Sequence, residues 1–290
     1  MGGSTLTVNW TVRDILKWTR GYFKGAGIPQ PRLEAEILLA HVLKVDRLQL
    51  YLSPDTPLTP DERARFREII KKRRSGVPRQ YLTGEVQFYG LRFRVRKDVF
   101  IPRPETEELL EKALGLVARD RDLSCLDLGT GSGVIAVSLA KYLPRVKVTA
   151  VDLSTEALKL AQENARLNEV ADRVDIVHSD WFERVPGKFD LVVSNPPYIP
   201  EEEMDDLPEE VRGHEPHRAL DGGRAGMEEI AKLARGLKEH MRAGAMALFE
   251  IGDGQGEMVR EEMKDAGLVE IRVERDLAER ERYVIARCPS

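Results

Sequence analysis

Asn195-Pro196-Pro197-Tyr198 is the stretch of this sequence whose residue types and spacing could do chemistry. It follows an apolar run, Phe189-Asp190-Leu191-Val192-Val193, that reads as a buried strand. Proline has no N–H for a sheet ladder, so pairing stops there, and two successive rings send the backbone out in one stiff direction. The Asn195 side-chain oxygen and the Pro196 carbonyl are thereby held at the C-terminal edge of a sheet, beside the Tyr198 ring. Such a rigid pair of acceptors suits an –NH2 group. The plainer alternative is a strand that ends in a proline-rich turn. What decides between them is whether a reactive cofactor binds upstream.

Upstream, Asp127-Leu128-Gly129-Thr130-Gly131-Ser132-Gly133 closes an apolar run and opens a helix. Glycines there let the backbone approach a ligand closely. The spacing Gly-x-Gly-x-Gly does not match the dinucleotide fingerprint, and Asp127 would repel a diphosphate. It suits the ammonium group of a methionine moiety. Asp152 ends the next strand, where a carboxylate can accept from both hydroxyls of a ribose. Asp180 and Trp181 follow the third strand, placed to accept from an adenine amino group and to pack on its ring. Each acid alone could be only a strand end or a helix cap. All three in order at consecutive strand ends favour S-adenosylmethionine. No metal site is read: His214 and His217 flank Glu215-Pro216 in a long acidic loop, 201–226, and read as surface or lid residues.

The elements that must position these residues follow from periodicity. Residues 9 to about 75 read as helices, with Val12, Ile15, Leu16 and Thr19 on one face and Leu33, Ile37, Ala40 and Leu43 at spacings of three and four. Thr59-Pro60-Asp61-Glu62 carries a capping box with proline at the first helical position. That helix runs to Lys71-Lys72-Arg73-Arg74, read as a solvated end that complements the helix dipole. Val86 to Arg96 reads as a hairpin turning at Tyr89-Gly90. From about residue 123 strands and helices alternate: strands at 123–128, 146–151, 174–178, 189–193, 245–251, 269–274 and 283–286, helices at 134–143, 155–167 and 231–241. This is the pattern of a doubly wound, mostly parallel sheet with an antiparallel last strand, and ligands then sit at the C-terminal strand ends. The expected organisation is a helical domain over 1–75, a hairpin linker over 76–98 and a catalytic domain over 99–290.

Composition narrows the class. The chain has 290 residues, 42% of them hydrophobic and 32% charged, so it is globular. A net charge of −4 argues against a general nucleic-acid binder. Two cysteines, Cys125 and Cys288, make neither a disulfide framework nor a Cys-rich metal site, and fit a reducing cytoplasm. No run of about 20 apolar residues is present, so no membrane span is expected.

Residues 123–287 resemble a class I S-adenosylmethionine-dependent methyltransferase, and the Asn-Pro-Pro-Tyr form is similar to the branch that methylates planar nitrogens. The whole chain resembles the family of glutamine N5-methyltransferases of bacterial peptide chain release factors. That match rests on the helical domain, the hairpin, Ile101-Pro102-Arg103-Pro104-Glu105-Thr106-Glu107, Asp127 to Gly133, Asn195 to Ile199, Glu215-Pro216, Ala219 to Gly223 and Glu250-Ile251-Gly252. The resemblance implies that the substrate is the glutamine of a Gly-Gly-Gln loop, that the helical domain grips the rest of the release factor, and that the 201–226 loop closes over the site. It implies cofactor contacts from Asp127, Gly129, Thr130, Gly131, Ser132, Gly133, Asp152, Asp180, Trp181 and Asn195. Substrate contacts fall to Asn195, Pro196, Pro197 and Tyr198. No general base is nominated, because the methylated amide can lose its proton to water. Two neighbouring activities share the tetrapeptide: methylation of a ribosomal-protein glutamine and methylation of an adenine amino group, the latter hinted at only by Arg92, Arg94 and Arg96.

Overall fold

The computed structural model describes residues 10–290, so the start of the expected helical region at residue 9 lies outside the described residues. The chain forms two compact units that divide between Gly84 and Glu85.

The first unit is helical: α1 (Val12–Gly25), α2 (Pro31–Leu43), α3 (Arg47–Leu52), α4 (Pro60–Arg74) and α5 (Arg79–Thr83). Thr59 caps α4 as its sequence predicts: the Glu62 N–H donates to Thr59 Oγ1 at 3.2 Å, and the Thr59 N–H donates to Glu62 Oε2 at 2.8 Å. Helix α2 departs from the expected stripe. Leu33, Ile37 and Leu43 are only half-buried, while Ala35, Leu38, Leu39 and Val42 fill the core. The reason is that α1, α3, α4 and α5 all pack on α2, so it is enclosed on most sides and even buries Glu34 and Glu36. Arg73 likewise leaves the solvated helix end expected of it. It is buried, and its Nε lies 2.6 Å from Glu34 Oε2, which satisfies a charge that could not otherwise stay in the core.

The second unit opens with the hairpin β1 (Glu85–Phe88) and β2 (Leu91–Arg94). Tyr89 and Gly90 both take positive φ, which closes a two-residue hairpin turn. Phe88 and Phe93 are fully buried in the core of this unit, so by packing the hairpin belongs to it. Then follow α6 (Pro104–Gly115), β3 (Leu123–Leu128), α7 (Val134–Tyr142), β4 (Val146–Asp152), α8 (Thr155–Leu167), β5 (Val174–His178) and β6 (Phe189–Ser194). After a segment of short turns containing α9 (Glu209–Arg212) come α10 (Glu228–His240), β7 (Met241–Glu250), α11 (Gly256–Asp265), β8 (Val269–Arg275) and β9 (Glu281–Arg287). The seven long strands order as β5-β4-β3-β6-β7-β9-β8; β3 to β7 run parallel, and β9 is antiparallel to both its neighbours. The alternation along each strand sorts side chains into two layers. Cys125, Leu191 and Leu248 face one layer with Leu139; Leu126, Val192 and Phe249 face the other with Leu233 and Val259. Strand order reverses at β3/β6, which opens a crevice at their C-terminal ends.

Candidate active site

That crevice is a cavity of about 920 Å³. The residues expected to touch cofactor or substrate all line it except Asp127 and Gly133. Strand β3 delivers the glycine turn, β4 ends in Asp152, β5 leads to Asp180 and Trp181, and β6 ends at Asn195. At Gly129, φ is +70°, and a Cβ would come within 3.4 Å of the Trp181 ring, so the turn and the indole wall one slot. The indole N–H of Trp181 donates to Glu229 Oε2 at 2.7 Å, which fixes the ring. Gly133 serves packing instead: its Cβ would sit 2.9 Å from Ala161 Cβ, so only glycine lets α7 and α8 approach this closely.

Asp152 accepts the Gly131 N–H at 2.9 Å and the Ser154 N–H at 2.8 Å; burial raises its pKa, against the pull of these bonds and of Arg218. Asp127 stands behind the turn, fully buried, and does not reach the cavity wall. Its Oδ2 accepts from Thr130 Oγ1 at 2.6 Å and the Ala136 N–H at 3.0 Å, while its Oδ1 has no partner. Burial pushes Asp127 up to about 7. A carboxylate so poorly compensated is stabilised by added positive charge, and a cationic cofactor held in the adjoining turn supplies it. This donor set fits S-adenosylmethionine, which carries both an ammonium and a sulfonium.

The tetrapeptide forms the adjoining wall, with the Asn195 carbonyl 4.0 Å from where a Gly129 Cβ would sit. Asn195 Nδ2 donates to Thr106 Oγ1 at 3.0 Å; Thr106 Oγ1 donates to Glu250 Oε2 at 3.0 Å; the Tyr198 hydroxyl donates to Glu250 Oε1 at 3.1 Å. Glu250 closes β7 and is fully buried, which pushes it up to about 7. Burial also raises Tyr198, with Glu250 beside it adding to the effect. Gln255 donates from Nε2 to the Tyr198 carbonyl at 2.8 Å and so holds the backbone just past the prolines. Sequence reasoning assigned no role to Thr106, Glu250 or Gln255. Two signals were available: Thr106 and Glu250 both lie in motifs that carry the family resemblance, and Glu250 is a lone acid within the apolar run Ala245–Ile251.

The roof is the 201–226 segment, which is ordered into short helical turns. Ile199 pairs with Asp221, its N–H donating to the Leu220 carbonyl at 3.0 Å and its carbonyl accepting the Gly222 N–H at 2.9 Å. Leu207, Val211, Pro216 and Arg218 from this segment line the cavity. The far end is anchored by Glu215, buried, which takes Arg103 Nη2 at 2.5 Å and the Ile101 N–H at 3.2 Å. His217 is exposed, and among the described residues no group of His, Cys, Asp and Glu is arranged to hold a metal ion. Both cysteines are free and buried, and burial raises Cys125 to about 12. Among the described residues no helix is long and apolar enough to cross a membrane.

Comparison with known proteins places this geometry. A family model described as the PrmC N-terminal domain matches residues 14–84, and one described as the methyltransferase small domain matches residues 107–211. The chain is 45% identical to a release factor glutamine methyltransferase of Koribacter versatilis over 93% of its own length and 95% of the relative's. It is 43% identical to one of Cereibacter sphaeroides (96% and 98%) and 40% identical to one of Rhodopirellula baltica (95% and 95%). Among solved structures, a methyltransferase from Pyrococcus furiosus shares the fold: TM-score 0.54, 17% identity, 80% of this chain and 100% of that one.

Proposed function

The chain belongs to the release factor glutamine methyltransferase family, and from that premise we propose how its site works on the glutamine of a Gly-Gly-Gln loop in class 1 release factors. It is an S-adenosylmethionine-dependent enzyme that methylates the side-chain amide nitrogen of that glutamine. The observation that carries the reading is the meeting of two walls in one cavity: the glycine turn, with the unpartnered Asp127 Oδ1 behind it, and the tetrapeptide with Asn195 and Pro196.

When bound, S-adenosylmethionine would supply a methyl group on a cationic sulfur, and the S–CH3 electron pair would stay on that sulfur as a neutral thioether. Asp127 provides negative charge behind the turn, Thr130 to Ser132 and Asp152 hold the methionine and ribose parts, and Asp180 with Trp181 takes the adenine. An amide nitrogen is a poor nucleophile, because its lone pair is delocalised into the carbonyl. Asn195 Oδ1 and the Pro196 carbonyl accept its two N–H groups, which turns the lone pair toward the methyl and stabilises the positive charge that develops on nitrogen. Pro197 has no N–H to compete, and Tyr198 packs against the flat amide. The nitrogen's proton passes to water, so no side chain acts as base.

The helical unit grips the remainder of the release factor, which acts in the cytoplasm. Direct nucleic-acid binding is not expected. Net charge is −4, and the arginine stripe is already engaged: Arg94 and Arg96 pair with Glu163 at 3.3 and 2.6 Å, and Arg92 lies 4.0 Å from Glu85. Arg→Glu changes across the stripe should leave methylation of a release factor intact. Loss of label from the release factor, or its appearance on RNA or DNA with the native chain, would overturn this reading.

A further inference from the structure

We propose that Thr106 and Glu250 are positioning residues that set which face of the Asn195 amide meets the substrate. The inference deepens the proposed function and rests on its acceptor role for Asn195.

An ionised Glu250 has no hydrogen to give, so both hydroxyls that touch it must donate: Thr106 to Oε2 at 3.0 Å and Tyr198 to Oε1 at 3.1 Å. A hydroxyl has one hydrogen. Once Thr106 has spent it on Glu250, it can only accept from Asn195, 3.0 Å away. The group Asn195 turns toward Thr106 is therefore its NH2, and the group left for the cavity is its oxygen. Without this chain the two ends of the amide are close in size, and a half-turn about the last side-chain bond exchanges them. A turned Asn195 would oppose N–H to the N–H of the substrate. The network thus makes the acceptor that the tetrapeptide alone cannot guarantee. Its parts come from α6, β7 and the β6 end, separated by 89 and 144 residues in sequence.

Protonation of Glu250 undoes the logic. A carboxylic acid can donate to Thr106, which is then free to donate to Asn195 Oδ1. The charged and titratable groups that act on Glu250 are Tyr198 from the β6 end, Glu105 from α6, and Arg282 and Tyr283 from β9, with Asp276 paired to Arg282 at 3.4 Å. Arg282 favours the ionised form and Glu105 opposes it.

The test compares the full-length enzyme with Thr106→Val, Thr106→Ser and Glu250→Gln. Thr106→Val should lower kcat on the order of 10- to 100-fold, as for a misplaced reacting group, with KM for the release factor and cofactor affinity nearly unchanged; Thr106→Ser should restore turnover. With S-adenosylmethionine saturating at every pH, so that titration of Asp127 acts on cofactor binding alone, native kcat should fall as pH drops below about 7, and Glu250→Gln, whose amide can face either way, should show a lower kcat that no longer follows that fall. Independently of any substrate, nuclear magnetic resonance of the Asn195 side chain should show one slowly exchanging Nδ2 proton in the native protein and none in Thr106→Val. Equal exchange of both protons in the native protein, or Thr106→Val with native kcat, overturns the proposal. A native protein that shows the protected proton but leaves the release factor unlabelled overturns the substrate reading and sustains the positioning one.

Discussion

Gly226→Ala offers a quantitative test of how tightly the roof holds the acceptor pair. A Cβ at Gly226 would lie 2.0 Å from the Tyr198 carbonyl oxygen and 2.5 Å from Gln255 Nε2. Real Cβ atoms essentially never come closer than 3.0 Å to a neighbour, so the Tyr198 backbone must retreat by about 1 Å or the roof must lift by as much. Retreat of Tyr198 breaks the 2.8 Å bond from Gln255 that fixes the chain after the prolines, and lifting of the roof breaks the 3.1 Å bond from Gln255 to the Ala225 carbonyl that ties the two together. Displacements of about 1 Å at a reacting group cost on the order of 100-fold in rate. The φ of +68° adds strain of about 1–2 kcal/mol for any side chain. Gly187→Ala isolates that part: φ is +87° and nothing lies within 4 Å of the added carbon. Urea unfolding should show a loss of about 1–2 kcal/mol for Gly187→Ala with native kcat. Gly226→Ala should lose about 1–3 kcal/mol more through overpacking, and kcat should fall on the order of 100-fold with cofactor affinity largely kept. Equal kcat in the two variants would refute the claim that the roof positions Tyr198 and its neighbours.

Asn195→Ala should reduce turnover by about 10²–10³-fold while much of the cofactor affinity survives, as read by calorimetric titration with S-adenosylmethionine. Arg103→Ala leaves Glu215, whose side chain is 1% exposed, with only the Ile101 N–H to meet its charge. The loss should approach about 3 kcal/mol in urea unfolding, and Arg103→Met with Glu215→Leu should recover part of it. Burial holds Asp127 and Glu250 at about 7, above their usual 3.8 and 4.5. The folded chain therefore keeps protons that the unfolded chain releases, and stability falls as pH climbs to about 7, from about 3.8 for Asp127 and from about 4.5 for Glu250, and levels off above. Glu250→Gln should remove its share of that fall, up to about 3 kcal/mol at pH 8, measured as the difference between native and variant unfolding free energies from pH 5 to 8.

Much of this architecture is legible in the sequence because the middle of the sheet is buried on both faces. The central strands then carry unbroken apolar runs, Leu191–Val193 in β6 and Ala245–Phe249 in β7, and the proline pair marks where β6 must stop. What stayed hidden depends on long-range partners. Nothing near Arg73 in sequence indicates that Glu34 will bury it. Helix α2 has no single apolar stripe to read because neighbours enclose it on most sides. At the site, Asn195, Pro196 and Tyr198 carry their chemistry in their own residue types. Thr106 and Glu250 do not: a threonine early in α6 and an acid at a strand end are ordinary until folding sets them 3.0 Å apart. Asp127 was legible as an acid beside the turn, but its depth behind the cavity wall was not.

The central claim, that this acceptor pair serves a release-factor glutamine, is tested most directly with isotope-labelled S-adenosylmethionine and two release factors, one native and one with the Gly-Gly-Gln glutamine changed to alanine. The account predicts label on the native factor alone, located by mass spectrometry on the side-chain nitrogen of that glutamine. Equal labelling of both factors, or label on nucleic acid in place of protein, would contradict it.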